Sequence, residues 1–199
     1  MKKSLIFTAL FLCFVMLFCS ITPVIAKSEN ISQKVFRLHI LANSDSEDDQ
    51  QLKLKVRDKV MATSGQWFAD CCSVESAVRA ASEHLDEINE IVQSVIHENG
   101  YHYDSTVYTA KEFFNVREYG DFSLPSGVYN SLKIEIGEGK GKNWWCVLFP
   151  SVCLSGCTED LEETLTDEEM QMITSDKYII RFKALEIIER IKYAHKKED

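Results

Sequence analysis

Between residues 132 and 136 apolar and charged positions alternate: Leu132, Ile134 and Ile136 against Lys133 and Glu135. That period of two predicts a strand with one buried face. Residues 144–149, WWCVLF, are almost wholly apolar, the pattern of a strand buried on both faces. The run between them, Gly137-Glu138-Gly139-Lys140-Gly141-Lys142-Asn143, carries three glycines in five positions and reads as a connection. Together the three segments predict a β-hairpin with a mobile, glycine-rich tip and two tryptophans opening its return strand.

The same patterns organise the rest of the chain. Phe36, Leu38 and Ile40 alternate with Arg37 and His39, which predicts a strand over 35–41. Residues 42–46 then form a turn and a helix cap. Ser46 with Asp49 resembles a capping box, and Glu47, Asp48 and Asp49 suit the positive end of a helix dipole. Leu52, Val56 and Val60 lie four apart, on one face of a helix over about 47–62. Trp67 and Phe68 fall in the connection that follows. Ser73 caps a longer helix, with Val74, Val78, Ala81, Leu85, Ile88, Val92 and Val95 at helical spacing and Asn99-Gly100 as its stop.

Residues 101–114 read as a strand and 118–127 as a loop. Residues 155–174 are acidic, and two readings stay open there: a loop with a short, marginal helix, or a solvated insertion. A short strand over 178–182 and a helix over 183–193 complete the chain. The order is β-α-α-β-β-β-β-α. It predicts an α+β fold, a mixed α/β sandwich in which one mixed sheet of about five strands carries about three helices. Residues 27–199 are expected to form a single globular domain.

The first 26 residues differ in kind. Lys2 and Lys3 precede an uncharged apolar run over 5–21, Pro23 is expected to break the helix, and Val24-Ile25-Ala26 fits a cleavage site. They predict a secretion signal peptide, with residues 27–32 as a loose leader after it; the rival reading is an uncleaved anchor. Bulky Leu17 and Phe18 argue against lipidation of Cys19. Removing Lys2 and Lys3 from the 22 basic residues leaves 20 against 31 acidic, a net charge of −11. That charge argues against nucleic acid or anionic lipid as the main partner.

Export also changes how the cysteines read. Cys71, Cys72, Cys146, Cys153 and Cys157 lie beyond the signal, an odd number. Disulfides are permitted outside the cytoplasm. Cys146 and Cys153 are the favoured pair, because Pro150 can turn the chain between them. A zinc site from Cys146, Cys153 and Cys157 has a spacing unlike the common patterns. Adjacent Cys71 and Cys72 are expected to be ordinary thiols.

Few residues carry a recognisable chemistry. Ile136 and Asn143 stand where a Walker A loop needs a glycine and a hydroxyl, and Lys142 stands where a dinucleotide fingerprint needs its third glycine. No metal, cofactor or small-molecule substrate is expected. His39, Asp45 and a thiol such as Cys146 could in principle converge as a hydrolase site; the plainer readings are a polar strand residue and a turn cap. Trp144 and Trp145 are consecutive, so in a strand they face opposite ways. Either one is core and one exposed, or both are buried.

Three blocks are distinctive: RLHILANSDSEDDQQLKLKVRD at 37–58, LPSGVYNSLKIEIGEGKGKNWWCVLFPSVC at 124–153 and RFK at 181–183. They closely resemble the stage II sporulation protein R family of endospore-forming bacteria, with modest departures: family members often read FPPLC where this chain has Phe149-Pro150-Ser151-Val152-Cys153. The resemblance implies an exported signalling protein and no enzyme. Such proteins are made in the forespore and secreted into the intermembrane space between forespore and mother cell. There they trigger a membrane-embedded aspartic protease to process the sigma-E precursor. On that reading the expected partner-binding residues are Arg37, His39, Asn43 and Asp45 at one strand end, with Lys140, Lys142, Asn143, Trp144 and Trp145 at the hairpin. Loss of either tryptophan is then expected to lower activation more than stability. A cell-wall or peptide hydrolase of the same space is the alternative, and a structural protein of the septum a third.

Overall fold

The predicted strands form, but not in the predicted order. The computed structural model describes residues 2–150 and 159–198. The main strands are β1 (Phe36–Leu41), β2 (Ser105–Phe114), β5 (Gly127–Ile136) and β6 (Asn143–Phe149). They lie side by side as β2-β5-β1-β6. Strand β1 runs parallel to β5, with Leu38 beside Leu132, and antiparallel to β6, with Leu38 beside Cys146. The sheet is mixed and the fold is α+β.

The expected hairpin is corrected by this order. Strands β5 and β6 are not neighbours, because β1 fills the place between them. The connection over 137–142 therefore crosses the end of β1, a span of two strand spacings or about 10 Å. A central place suits β1, whose residues from Phe36 to Ile40 are all buried.

One face of the sheet meets helices. Phe36, Leu38 and Ile40, Leu132, Ile134 and Ile136, and Cys146 and Leu148 share a core with α2 (Glu47–Phe68), α3 (Val74–Glu83) and α4 (Leu85–Glu98). Ser46 caps α2, its hydroxyl accepting from the Asp49 amide at 3.2 Å. The helix runs past its predicted end because Trp67 and Phe68 are buried and anchor a last turn. The single helix expected over 73–98 is two. Ser73 and Ser76 close a reciprocal capping box at the start of α3. His84 then leaves the helical conformation at φ −111°, ψ 15°, with its ring stacked on Trp67 at 5.8 Å. A tertiary contact thus interrupts a periodicity that local sequence would continue.

The chain divides into two compact units. The sheet unit comprises Gln33–Glu112 and Val128–Asp167; the second comprises Met1–Ser32, Phe113–Gly127 and Glu168–Asp199. In the second, α1 (Lys2–Gln33) is continuous, with Pro23 inside it. The expected break and loose leader are replaced by helix, with Ile31, Ser28 and Ser32 buried and Lys27 paired to Glu168 at 2.6 Å. The loop expected over 118–127 holds a small antiparallel pair, β3 (Arg117–Tyr119) and β4 (Phe122–Leu124), turning at Gly120, φ +62°.

Within the acidic stretch, α5 (Glu159–Thr164) and α6 (Asp167–Thr174) form; residues 155–158 lie outside the described residues. The strand expected over 178–182 is corrected to a 3-10 turn, Asp176–Tyr178, leading into α7 (Ile179–Glu198). Phe182 and Leu185 are buried three apart while Ile180 is exposed, so this apolar run is one side of a helix. Cys71 and Cys72 are free, as expected. Cys146 is disulfide-bonded; its expected partner Cys153 lies outside the described residues.

Candidate functional site

The end of β1 and the glycine run interlock. Every backbone amide from 137 to 142 is donated within the protein. Gly137 gives its N–H to the Asp104 carbonyl at 2.8 Å, Gly139 to Ile136 at 3.1 Å, Lys140 to Asn43 at 3.3 Å and Gly141 to Ala42 at 2.8 Å. Glu138 donates to Asn43 Oδ1 at 3.0 Å and Lys142 to Asp45 Oδ1 at 2.7 Å. A phosphate-cradling loop needs such amides free for the anion, and here they are all engaged. The mobile tip expected from three glycines is instead a tied-down platform.

Glycine is required there for two reasons. Gly137 and Gly139 have φ of +58° and +59°, a region costly to other residues. Gly141 has an ordinary φ but no room: a Cβ would lie 2.2 Å from the Ser44 carbonyl oxygen.

Buried polar groups hold the facing loop. Asp49 accepts from Asn43 Nδ2 at 3.0 Å and from the Ser44 hydroxyl at 2.5 Å. Burial pushes the Asp49 carboxyl up, but hydrogen bonds from Ser44, Asn43, Tyr103 and Ser46 hold it below its ordinary range. Lys53, 4% exposed, donates to the Lys142 carbonyl at 2.9 Å and to Gln50 at 2.6 Å. Its pKa is lowered chiefly by burial, with nearby Asp45 opposing.

A second cluster sits on the sheet face opposite the helices. His39 Nδ1 lies 2.9 Å from Glu112 Oε1, and Nε2 lies 2.7 Å from Asn143 Oδ1. The Ser131 hydroxyl donates to Glu112 at 2.6 Å. Lys133 pairs with Glu135 at 3.0 Å and reaches to 4.0 Å from Glu112, while the Tyr108 hydroxyl donates to Glu135 at 3.0 Å. The Trp145 ring tilts against His39 at 5.7 Å.

The expected contact residues are thus only partly united. Asn43 and Asp45 meet Lys140 and Lys142 at the clamp, where Asp45, Lys140 and Lys142 are exposed. His39 meets Asn143 and Trp145. Arg37 is wholly buried, its guanidinium 4.8 Å from the Tyr129 ring centre, and presents nothing to a partner. Trp144 joins the helix-side core, with the Arg57 guanidinium 4.4 Å above its ring.

Glu112, Ser131 and Lys53 were missed by sequence reasoning. Glu112 could have been found, since a carboxylate follows Tyr108 and Ala110 on one face of β2. Lys53 could not, because a lysine on an acidic helix reads as solvated.

Among the described residues, His39, Asp45 and Cys146 do not converge as a hydrolase site. Both His39 ring nitrogens have partners other than a nucleophile, and Ser131 turns its proton to the carboxylate. Cys146 is bridged and faces the helix-side core, across the sheet from His39. Among the described residues no group of three or more His, Cys, Asp or Glu is placed to hold a metal ion.

The cluster makes stability depend on pH. Burial pushes the Glu112 carboxyl up, but hydrogen bonds from His39 and Ser131, with the His39 and Lys133 charges, bring it below its ordinary 4.5. A depressed carboxylate stabilises the fold above its unfolded pKa, and that contribution fades as pH falls through the folded value. Urea midpoints should therefore drop below about pH 4.5, and Glu112→Gln should remove part of that slope. An identical slope in the variant would assign the acid sensitivity to other carboxylates.

The stage II sporulation protein R family model matches residues 32–159. The stage II sporulation protein R of Bacillus subtilis (strain 168) is 41% identical over 131 residues, covering 64% of this chain and 58% of the relative. The match thus spans less than two thirds of that protein's length. No solved structure matches.

Proposed function

The chain belongs to the stage II sporulation protein R family and so has a role in sporulation; on that premise we propose that it is an exported signalling protein. It is secreted from the forespore into the intermembrane space. There it triggers a membrane-embedded aspartic protease of the mother cell to process the sigma-E precursor.

One observation carries the reading: two family blocks far apart in sequence interlock through the Asn43 and Asp45 contacts to the glycine run. The result is a pre-formed patch that displays Asp45, Lys140 and Lys142. A ligand activates a receptor by binding its active state better than its inactive one. A pre-formed patch serves that task, since little ordering entropy is lost on contact.

Co-expression tests it in a non-sporulating host. With the exported chain, the membrane protease and the sigma-E precursor present, the precursor should shorten. It should stay intact when the signal segment is deleted. Cleavage without export, or none with all three components folded, would overturn the reading.

A further inference from the structure

The clamp is at one end of β1; a different surface lies along the opposite edge of the sheet. Strand β2 is terminal in the sheet order, so one side of its backbone ladder has no strand beside it among the described residues. Its residues from 105 to 112 are all partly or fully exposed, whereas at the other edge 146–149 are buried. A ten-residue edge without proline is a template for another strand.

Beside this edge, between β2 and α3, opens a cavity of about 230 Å3 lined by Phe36, Val78, Thr109, Ala110, Lys111 and Asn130. It is smaller than the ~300–1,000 Å3 of pockets that enclose a drug-sized ligand, a size suited to one side chain. Its apolar side-chain lining is Phe36 and Val78, both on the helix-side face. Its one charged lining residue is Lys111, which is exposed.

We propose that this groove takes an extended peptide of the partner. The peptide adds as a further strand beside β2, sets one apolar side chain in the cavity and brings an acidic residue to Lys111. In strand addition, main-chain hydrogen bonds supply affinity and pockets for alternate side chains supply specificity. An acidic residue two positions along lies on the same face as the apolar one, within reach of Lys111. A second copy of this chain fits less well, because each copy without residues 1–26 carries 20 basic and 31 acidic residues, a net charge of −11.

The choice of partner rests on the function proposed above. The probes are synthetic peptides tiling the protease segments that face the intermembrane space, added to isotope-labelled exported chain. One tile, with an apolar and an acidic residue two apart, should shift the amides of 105–112 and the Val78 methyls and slow exchange along β2. Lys111→Glu, a surface change that leaves the melting temperature alone, should weaken it at least tenfold. Val78→Trp, which fills the cavity, should abolish binding.

Shifts confined to another surface, or none with any tile, would overturn the groove. So would concentration-dependent protection of β2 without peptide, which would assign the edge to a second copy. The cleavage assay separates the two claims. If the unaltered chain triggers cleavage and both variants trigger it equally, the groove falls and the signalling function stands. If the unaltered chain triggers none, the signalling function falls, and the groove falls with it as a protease site.

Discussion

Gly141→Ala should abolish signalling and lower folding stability, although it adds one methyl group. The methyl carbon would sit 2.2 Å from the Ser44 carbonyl oxygen and 2.6 Å from its carbon. Both atoms are backbone, in the loop that also caps α2, so neither can rotate away as a side chain would. Relief requires parting the two loops, which costs the Gly141 bond to Ala42 and strains the Lys142 bond to Asp45. Overpacking of this kind costs roughly 1–3 kcal/mol and sometimes more.

Gly139→Ala is the control. Its left-handed φ of +59° brings a penalty of about 1–2 kcal/mol, but the added carbon meets only the Glu135 side chain at 3.6 Å, an ordinary contact. Urea unfolding and precursor cleavage should therefore both rank Gly141→Ala below Gly139→Ala. Equal behaviour would mean that the loops part easily and that the clamp does not define the active patch.

What the chain reveals about this patch follows from the range of the forces involved. Alternation at 36–40 and 132–136 is a local signal, and it gave the correct strands, with the apolar side of each in the helix-side core, but it did not show that Arg37 and His39 are buried too. Nothing local says that β1 lies between β5 and β6. The contiguous run from 127 to 149 reads as a hairpin because proximity in sequence is the only guide to pairing that a single chain offers. Once β1 is inserted, the glycines change meaning, from freedom at a tip to close approach over a strand end. The break at His84 and the helix at 179–182 have the same origin: stacking on Trp67 and burial of Phe182 with Leu185 override what the local pattern favours. His39 and Asn143 were chosen for their blocks, but Glu112, which joins the His39 cluster from another strand, is 73 residues away from His39 and carries no motif.

The two tryptophans should separate cleanly. Alternation says that Trp144 and Trp145 face opposite ways, and the register fixes which is which: Trp144 pairs with Ile40 and Trp145 with His39. Trp144 packs on the helix-side core beneath Arg57. Trp144→Ala removes that packing and should cost about 2–4 kcal/mol, below or within the ~3–5 kcal/mol of a fully buried aromatic because the residue is half-covered. Its activation loss should track its stability loss.

Trp145 is also half-covered, but it stands on the opposite face, against His39. A large aromatic ring at the edge of a polar cluster is the kind of group whose truncation costs most in partner binding. Trp145→Ala should cut precursor cleavage at least tenfold while moving the urea midpoint by no more than about 1 kcal/mol of stability. A tenfold loss needs only about 1.4 kcal/mol of differential contact, so a single ring suffices. If Trp145→Ala loses stability and activity together, as Trp144→Ala should, the His39 face of the sheet is structural at Trp145. The receptor contact would then reduce to the clamp and its lysines.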